Sequence, residues 1–514
     1  MTTHENRTSI AAIRTMLIVG IGLAWSATSS WAQNPAGVFS PVELTPSLPY
    51  RIELREHSMG DAALPTLHSF AAGHFDNKWM FISGRTNGLH GFDIFDPDSN
   101  FPAQSRNSEV WVLDLESKQS WHRALDDPTA GLTALQFASL SSTNNQFYEK
   151  GDTLYITGGY GIQADGTSFG TFDTLAAIDM PGLGDWVMNG TGSAADHIRQ
   201  IQDPAFKVTG GAMYEMNGRT HVVFGQDFDG VYTPFGDGTY TNQIRSFDIV
   251  DDGTNLSVDN LASTTPTAYY RRRDLNVVPT IRPDGLGGTK QGLLALSGVF
   301  QPAGDPWTVP VEIDSDGTPS MPDPNDPDTF QQSMNNYHSA KVGFFSASTG
   351  EMHEILFGGI GLKYLDEATQ TIRTDSGLPF VNDITSVVID ANGQYTQNHL
   401  GFMPELFDQQ GRRLRLGANA EFLLADEVAK FSNGVIDFDS LGSQAKLGYI
   451  YGGIIASAPH VRSKPGQLSS ASNHVFEVVL IRVPEPECLA LLSAAAIMLF
   501  LLRRSPRSLV ISPI

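Results

Sequence analysis

Cysteine is nearly absent from this chain: the single one, Cys488, lies in an apolar run close to the C-terminus. The body therefore has no thiol for a disulfide, a cysteine-ligated zinc site or nucleophilic catalysis, and its stability must come from core burial. Positive charge is scarce as well. Thirty-three basic residues stand against 56 acidic ones, a formal charge of −23, which opposes non-specific attraction to nucleic acid or to an anionic membrane surface. No nucleic-acid partner is expected. Long helical periodicities are few, whereas 50 glycines and 29 prolines punctuate short apolar runs, and that combination predicts an all-β body of short strands joined by tight turns. Neither a Gly-x-Ser-x-Gly elbow nor a His-Glu-x-x-His zinc motif occurs.

Both ends carry segments with the composition of addresses. Arg7 and Arg14 precede the apolar run Met16 to Trp25, and Ser30 and Ala32 supply small residues at the positions a signal peptidase requires. The order predicts a signal peptide over 1–32, cleaved after Ala32, and hence export. At the other end Cys488 to Leu502 would make a helix of roughly 22 Å, short against a hydrocarbon core of about 30 Å. Arg503, Arg504 and Arg507 follow it and would hold its far end in the cytoplasm, leaving the body outside. Pro484, Glu485 and Pro486 precede it and would interrupt a helix just outside the membrane.

This order of Pro-Glu-Pro, short apolar helix and arginine cluster over 483–507 resembles the PEP-CTERM sorting signal of Gram-negative and related bacteria. The resemblance implies recognition by an exosortase-type enzyme of the inner membrane. It also implies a place in the periplasm, cell envelope or extracellular surface, with a transmembrane helix at least before processing. It says nothing about the activity of the body.

Between the ends the chain repeats itself. Short apolar strands run into glycine at "KWMFISGR", "TLYITGGYG", "THVVFGQD", "GLLALSGV", "HEILFGGIG" and "LGYIYGGI", with first glycines at Gly84, Gly158, Gly225, Gly298, Gly358 and Gly452. A strand ending in a turn precedes each, and a third apolar strand with its own turn, such as "DTLAAIDM" or "ITSVVIDANGQYT", follows most. Four antiparallel strands per unit, six times over, is the signature of a β-propeller. The last unit lacks a fourth strand, and "YRIELREH" (Tyr50 to His57) is left over ahead of the first. Joining the two would close the ring and remove exposed strand edges.

The units resemble kelch repeats. "LHSFAAGHFDNKWMFISGR" with "SEVWVLDLESKQSW", and "YHSAKVGFFSASTGEMHEILFGGIG", carry the kelch order of His-Ser, closing glycine and aromatic third strand, with Trp111 and Trp121 as the aromatic pair. The resemblance implies a six-bladed kelch-like propeller over 48–482, with seven blades as the fallback, and blades lengthened by long loops.

Propellers bind where loops of successive blades converge on the central channel, so the candidate site residues are loop residues. Arg271, Arg272, Arg273 and Asp274, in "YYRRRD" ahead of the fourth unit, offer bidentate donors to a carboxylate, a sulfate or a uronic acid; pairing with the protein's own carboxylates is the plainer use of such a run. His68 and His338 begin corresponding strands of the first and fifth units and both approach the channel, where bonding backbone between blades is the commoner role. The repeated glycines end strands with no following helix, so they suit close packing near the axis rather than a phosphate loop. Two acidic loops, Asp96 to Asn100 and Asp323 to Asp328, gather oxygen ligands that suit Ca²⁺ but lack the EF-hand spacing. No cofactor is expected.

Enzymes of this architecture supply further comparisons. A galactose-oxidase-like site needs a cysteine crosslinked to tyrosine, which the body lacks, and sialidase Ser-x-Asp-x-Gly-x-x-Trp boxes are missing. No residue matches the chemistry of kelch-type sugar epimerases. The reading is therefore an exported, non-enzymatic propeller binding glycan or protein. The alternatives are a carbohydrate-active hydrolase, lyase or epimerase with its site in the channel, and a structural surface-layer spacer.

Overall fold

A computed structural model describes residues 39–483 except 234, 235, 237 and 303. The signal-peptide and PEP-CTERM segments lie outside the described residues. Among those described, no helix is long and apolar enough to cross a membrane.

The chain builds a β-propeller. Among the described residues six sheets carry four or more strands, so the fallback of a seventh blade is not met. In chain order the sheets open with Ala71–Phe75, Gln146–Lys150, Ala212–Met216, Asn276–Pro283, Ala340–Ser346 and Arg415–Leu424, and each first strand pairs antiparallel with the strand that follows it in its sheet. Apolar side chains alternate toward the two faces of each sheet, so every sheet packs on both neighbours. Met80, Leu154 and Trp186 fill the first such seam, Tyr155, Phe206 and Phe247 the second. Phe224 with Leu293, Leu294 with Leu356, and Phe357 with Ile450 fill the next three. In the last seam Leu423 and Tyr451 meet Phe70 and Phe81. The sixth sheet thereby packs against the first, and the ring closes.

The closing strand is the expected one. Tyr50–Glu56 pairs antiparallel with Val475–Arg482, from Tyr50 opposite Arg482 to Glu56 opposite Phe476. Two short strands extend the fifth sheet in parallel, Val42–Glu43 beside Tyr395–Phe402 and Ile436–Asp437 beside Ala340–Ser346. These edge additions were not legible in the repeat. Nor was the helix Met180–Asn189, which stands where the sequence suggests a plain turn after "DTLAAIDM". Its start is local chemistry: Asp179 caps it through Gly182, a proline follows within the first turn, and Gly190 at φ 73° ends it. The helix buries Trp186 and Val187 in the first seam. A second insertion, Ala134–Leu140, opens on a capping box between Thr133 and Gln136.

One buried group works against the fold. Glu354, on the second strand of the fifth sheet, is 0% exposed, and neither of its carboxylate oxygens has a hydrogen-bond partner. Desolvation by burial holds its pKa well above the ordinary 4.5, against the opposing charges of Arg282 and Lys341. As pH rises past that value the unfolded chain ionises before the folded one does, so this residue subtracts progressively from stability. Replacing it with methionine is expected to raise the unfolding free energy by about 1–3 kcal/mol at pH 7, the usual cost of an unsatisfied buried polar group. The gain should shrink at pH 5. Urea titrations at the two pH values check this, and an equal gain at both would contradict the ionisation argument.

Candidate functional site

Two residues before each of the first five sheets, the backbone turns through a positive φ. The residues are Ser69, Asn144, Gly210, Asp274 and His338; Asn419 does the same within the first strand of the sixth sheet, with the non-glycine values between 50° and 55°. The conformation lets each amide reach its neighbour around the axis. Ser69 N donates to Asn419 O, Asn144 N to Ser69 O, Gly210 N to Asn144 O, Asp274 N to Gly210 O at 2.7 Å, and Asn419 N to His338 O at 2.6 Å. These five bonds make most of a hoop. In the remaining step it is side chains that face each other, His338 Nδ1 standing 3.7 Å from Asp274 Oδ1.

A second tier sits beside the hoop. The residue after each closing glycine bridges the residue just ahead of the hoop position: Arg85 with His68, Tyr160 with Thr143, Gln226 with Thr209, Val299 with Arg273, Ile360 with Tyr337. This pattern corrects the alignment of the two histidines. Ala71 opposes Ile82, and Ala340 opposes Phe357, each partner two residues before a closing glycine, Gly84 or Gly359. His338 therefore matches Ser69, and His68 matches Tyr337. The shared His-Ser dipeptide is out of register by one, because hairpin pairing and not residue identity sets the alignment.

The two tiers and the long loops above them enclose a cavity of about 420 Å³. Arg273, Asp274 and His338 line it together with Asn144, Asn419 and Gln226. The three arginines expected to act together point three ways. Arg271 lies over the Tyr240 ring at 3.9 Å and donates to the Phe300 carbonyl. Arg272 turns inward, 0% exposed, and donates to the carbonyls of Ser297 and Val309 with its guanidinium 4.6 Å from the Trp307 ring. Neither lines the cavity. Arg273 does, held by its Nε–H to Tyr240 Oη at 3.0 Å and by Asp274 Oδ2 at 3.4 Å from Nη1.

The histidines of this region are kept neutral. Burial pushes His68 down to about 3, aided by the Arg85 charge, and its Nδ1 lies 3.0 Å from Ser69 Oγ. His68 is interior support for the hoop and does not line the cavity. Burial also lowers His338, more than the nearby Asp274 raises it. His90, which does line the cavity, is pushed down to about 4 by burial, with Nδ1 2.9 Å from the Gly91 carbonyl and Nε2 3.3 Å from Tyr232 Oη. Neutral imidazoles can each accept one hydrogen bond and donate another. The cavity thus combines the fixed Arg273 cation, a second arginine in Arg462, a carboxylate, amides and imidazoles with aromatic walls from Phe101, Tyr160 and Phe228.

Sequence reasoning missed most of these groups. Tyr160 and Gln226 directly follow the closing glycines, and Asn144 and Asn419 occupy the hoop column, so reading the repeat by column would have found them. His90 and Tyr232 come from long loops after second strands, where only the excess blade length gave a signal. The second acidic loop spends carboxylates on its own turns. Asp323 accepts from the Asn325 amide and Asp326 from Asp328, while Asp93 closes the turn that leads into Asp96. No three His, Asp or Glu side chains converge in a metal-holding arrangement among the described residues.

No protein-family model matches the chain, and no curated protein matches it. Among solved structures it is similar to that of YjhT, with a TM-score of 0.42 and 14% sequence identity over 83% of this chain and 98% of that one.

Proposed function

We propose that this protein is an exported, six-bladed kelch-like propeller that binds a carboxylate-bearing glycan in its axial cavity. The observation that carries the reading is Arg273: a guanidinium fixed in a largely desolvated pocket, flanked by amide and hydroxyl groups of successive blades and by aromatic rings. A cation so placed suits bidentate capture of a carboxylate, and the surrounding donors and acceptors suit hydroxyls. Six packed seams and the glycine-ended second strands support the blade count and the kelch likeness. The N-terminal and C-terminal segments support export and sorting by an exosortase-type membrane enzyme, which would leave the propeller at the envelope or surface.

The full chain in detergent, applied to a glycan array, should retain uronic-acid glycans in preference to their neutral counterparts. Arg273→Met should weaken binding by roughly 10- to 100-fold, since a hydrogen bond to a charged group contributes about 1.5–3 kcal/mol. Retention spread over neutral glycans, or undiminished by the substitution, would count against the reading.

A second reading, conversion of the same glycan, is favoured by one observation, the neutral His338 facing Asp274 across the break in the hoop. Such a pair can exchange a proton with a bound hydroxyl. NMR spectra of a retained glycan recorded over hours with wild type and with His338→Gln decide it. A product formed only by wild type would establish turnover, and an unchanged glycan would leave binding as the whole activity.

A further inference from the structure

A second cavity of about 390 Å³ opens beside the first, over the fifth and sixth sheets. The two share Phe380 and Pro459, whose backbones are joined by a 2.9 Å hydrogen bond from Phe380 N to Pro459 O. Beside the buried Phe380, what stands between them includes a solvent-exposed pair. His460 lines the first cavity, Asp375 the second, and their side chains meet at 2.9 Å with the imidazole 45% exposed. Solvent-exposed pairs of this kind contribute little and rearrange easily.

The second cavity is lined by both signs of charge, Asp366, Glu367, Asp375 and Asp383 beside Arg413 and Arg415, but each of the four carboxylates already has a partner, in Arg373, Arg413, His460 and His399 respectively. Arg415 lines it, and among the described residues the only hydrogen bond of its side chain is the one from Nη1 to the Arg413 carbonyl at 3.4 Å; no carboxylate pairs with it. Burial, and then the like charge of Arg413, press its pKa below the ordinary arginine value. Arg413 itself is paired with Glu367 and, at 3.6 Å, with Glu405. A third cation stands on the rim of the first cavity, Arg462, over the Phe92 ring at 5.7 Å and likewise without a carboxylate partner among the described residues. In a chain of net charge −23, acidic partners for arginine are plentiful. Among the described residues Arg272 and Arg245 also lack one, but they spend their guanidinium groups on backbone carbonyls; Arg415 and Arg462 differ in lining adjoining cavities. Aromatic faces accompany them. Tyr364 and Phe402 line the second cavity, and Phe407, 57% exposed, is bridged to Arg413 on the hairpin beside it.

We propose that the two cavities form one extended site and that the ligand is a uronic-acid oligosaccharide, its end unit seated at Arg273 and its following units laid past His460 to Arg415. This rests on the binding reading above and narrows it from a single acidic sugar to an acidic chain. Each repeating unit of such a chain brings its own carboxylate, which matches cations placed in succession, and the apolar faces of the sugar rings match Tyr364 and Phe402.

The test is calorimetric titration of the full chain in detergent with oligogalacturonides of one to four units. Wild type should gain at least tenfold in affinity from monomer to trimer. Arg415→Gln should flatten that ladder while monomer affinity stays within twofold, and Tyr364→Ala, which keeps every charge, should lower it without abolishing it. Arg51→Gln, remote on the closing strand, should leave it intact. Affinity independent of length in wild type, or a ladder untouched by Arg415→Gln, overturns the extended site but not the axial one. Equal loss in Arg51→Gln would show attraction between polyanion and net surface charge and would overturn it too. Absence of binding at every length would overturn the axial reading and this proposal together.

Discussion

Arg272→Ala should lower the free energy of unfolding by about 3 kcal/mol, whereas Arg273→Met, one residue along, should act mainly on ligand affinity. The two side chains leave the same short loop in different directions. Arg272 is enclosed between the turn that closes the second strand of its sheet and the Trp307 loop, where it donates to Ser297 O at 3.1 Å and to Val309 O at 2.7 Å, with the Met321 sulfur also within 3.1 Å of Nη2. Truncation strips two buried carbonyls of their donor, at about 1–3 kcal/mol each, and leaves a void under Trp307. Relief of the cation's own desolvation offsets part of that loss, which sets the net figure near the middle of the range. Lysine should not rescue it, because a single ammonium cannot span both carbonyls as the guanidinium fork does. Chemical denaturation of the three variants beside wild type gives the answer, and a loss at Arg272 no greater than at Arg273 would refute the assignment of roles.

The second large effect belongs to the closing glycines. Gly158, the first of the pair that ends in the closing Gly159, adopts φ +63°, and a Cβ placed there would sit 1.9 Å from the Val208 carbonyl oxygen in the loop that opens the next sheet. That carbonyl also accepts from Gly159 N at 2.9 Å, so it cannot retreat without breaking a link between sheets. Gly158→Ala therefore combines left-handed backbone strain of about 1–2 kcal/mol with a backbone clash of similar size, roughly 3 kcal/mol in all. Gly218 is the control: its φ is +84°, but open space surrounds it, and alanine there should cost only the strain. Melting curves of the two variants separate the contributions. Equal losses would mean that the glycine is needed for its backbone angle alone.

The same comparison explains why so much of the architecture could be read from one sequence. Glycine-ended strands recur because every sheet must bring its second strand against the next sheet near the axis, where side chains do not fit. The leftover strand at Tyr50 and the incomplete last unit revealed their pairing for an equally simple reason: an unpaired edge is costly, and only one partner was missing. Helix Met180–Asn189 escaped notice because its residues were read for hairpin period, although the cap at Asp179 and the proline after it were legible.

The candidate site was legible only as a region. "YYRRRD" drew attention to a loop that lends Arg273 and Asp274 to the cavity, but composition cannot say that Arg272 enters the interior while Arg273 enters the cavity, since adjacent residues differ in direction through a positive φ at Asp274 and through the turns around it. The one-residue slip between His68 and His338 has the same origin. Identity of letters suggested one alignment, and hydrogen-bonded pairing imposed another.

By itself the amino-acid order determined that this chain forms short antiparallel strands, that they repeat and close on one another, and that a thiol plays no part in the body. These follow from period, turn chemistry and composition, which act over a few residues. Tertiary structure alone decided which side chains meet. Arg273, Asp274, His338, His90 and Asn419 come from separate sheets and loops, and only closure of the ring brings them around one cavity, because the contacts between them depend on packing of sheets whose residues are far apart along the chain.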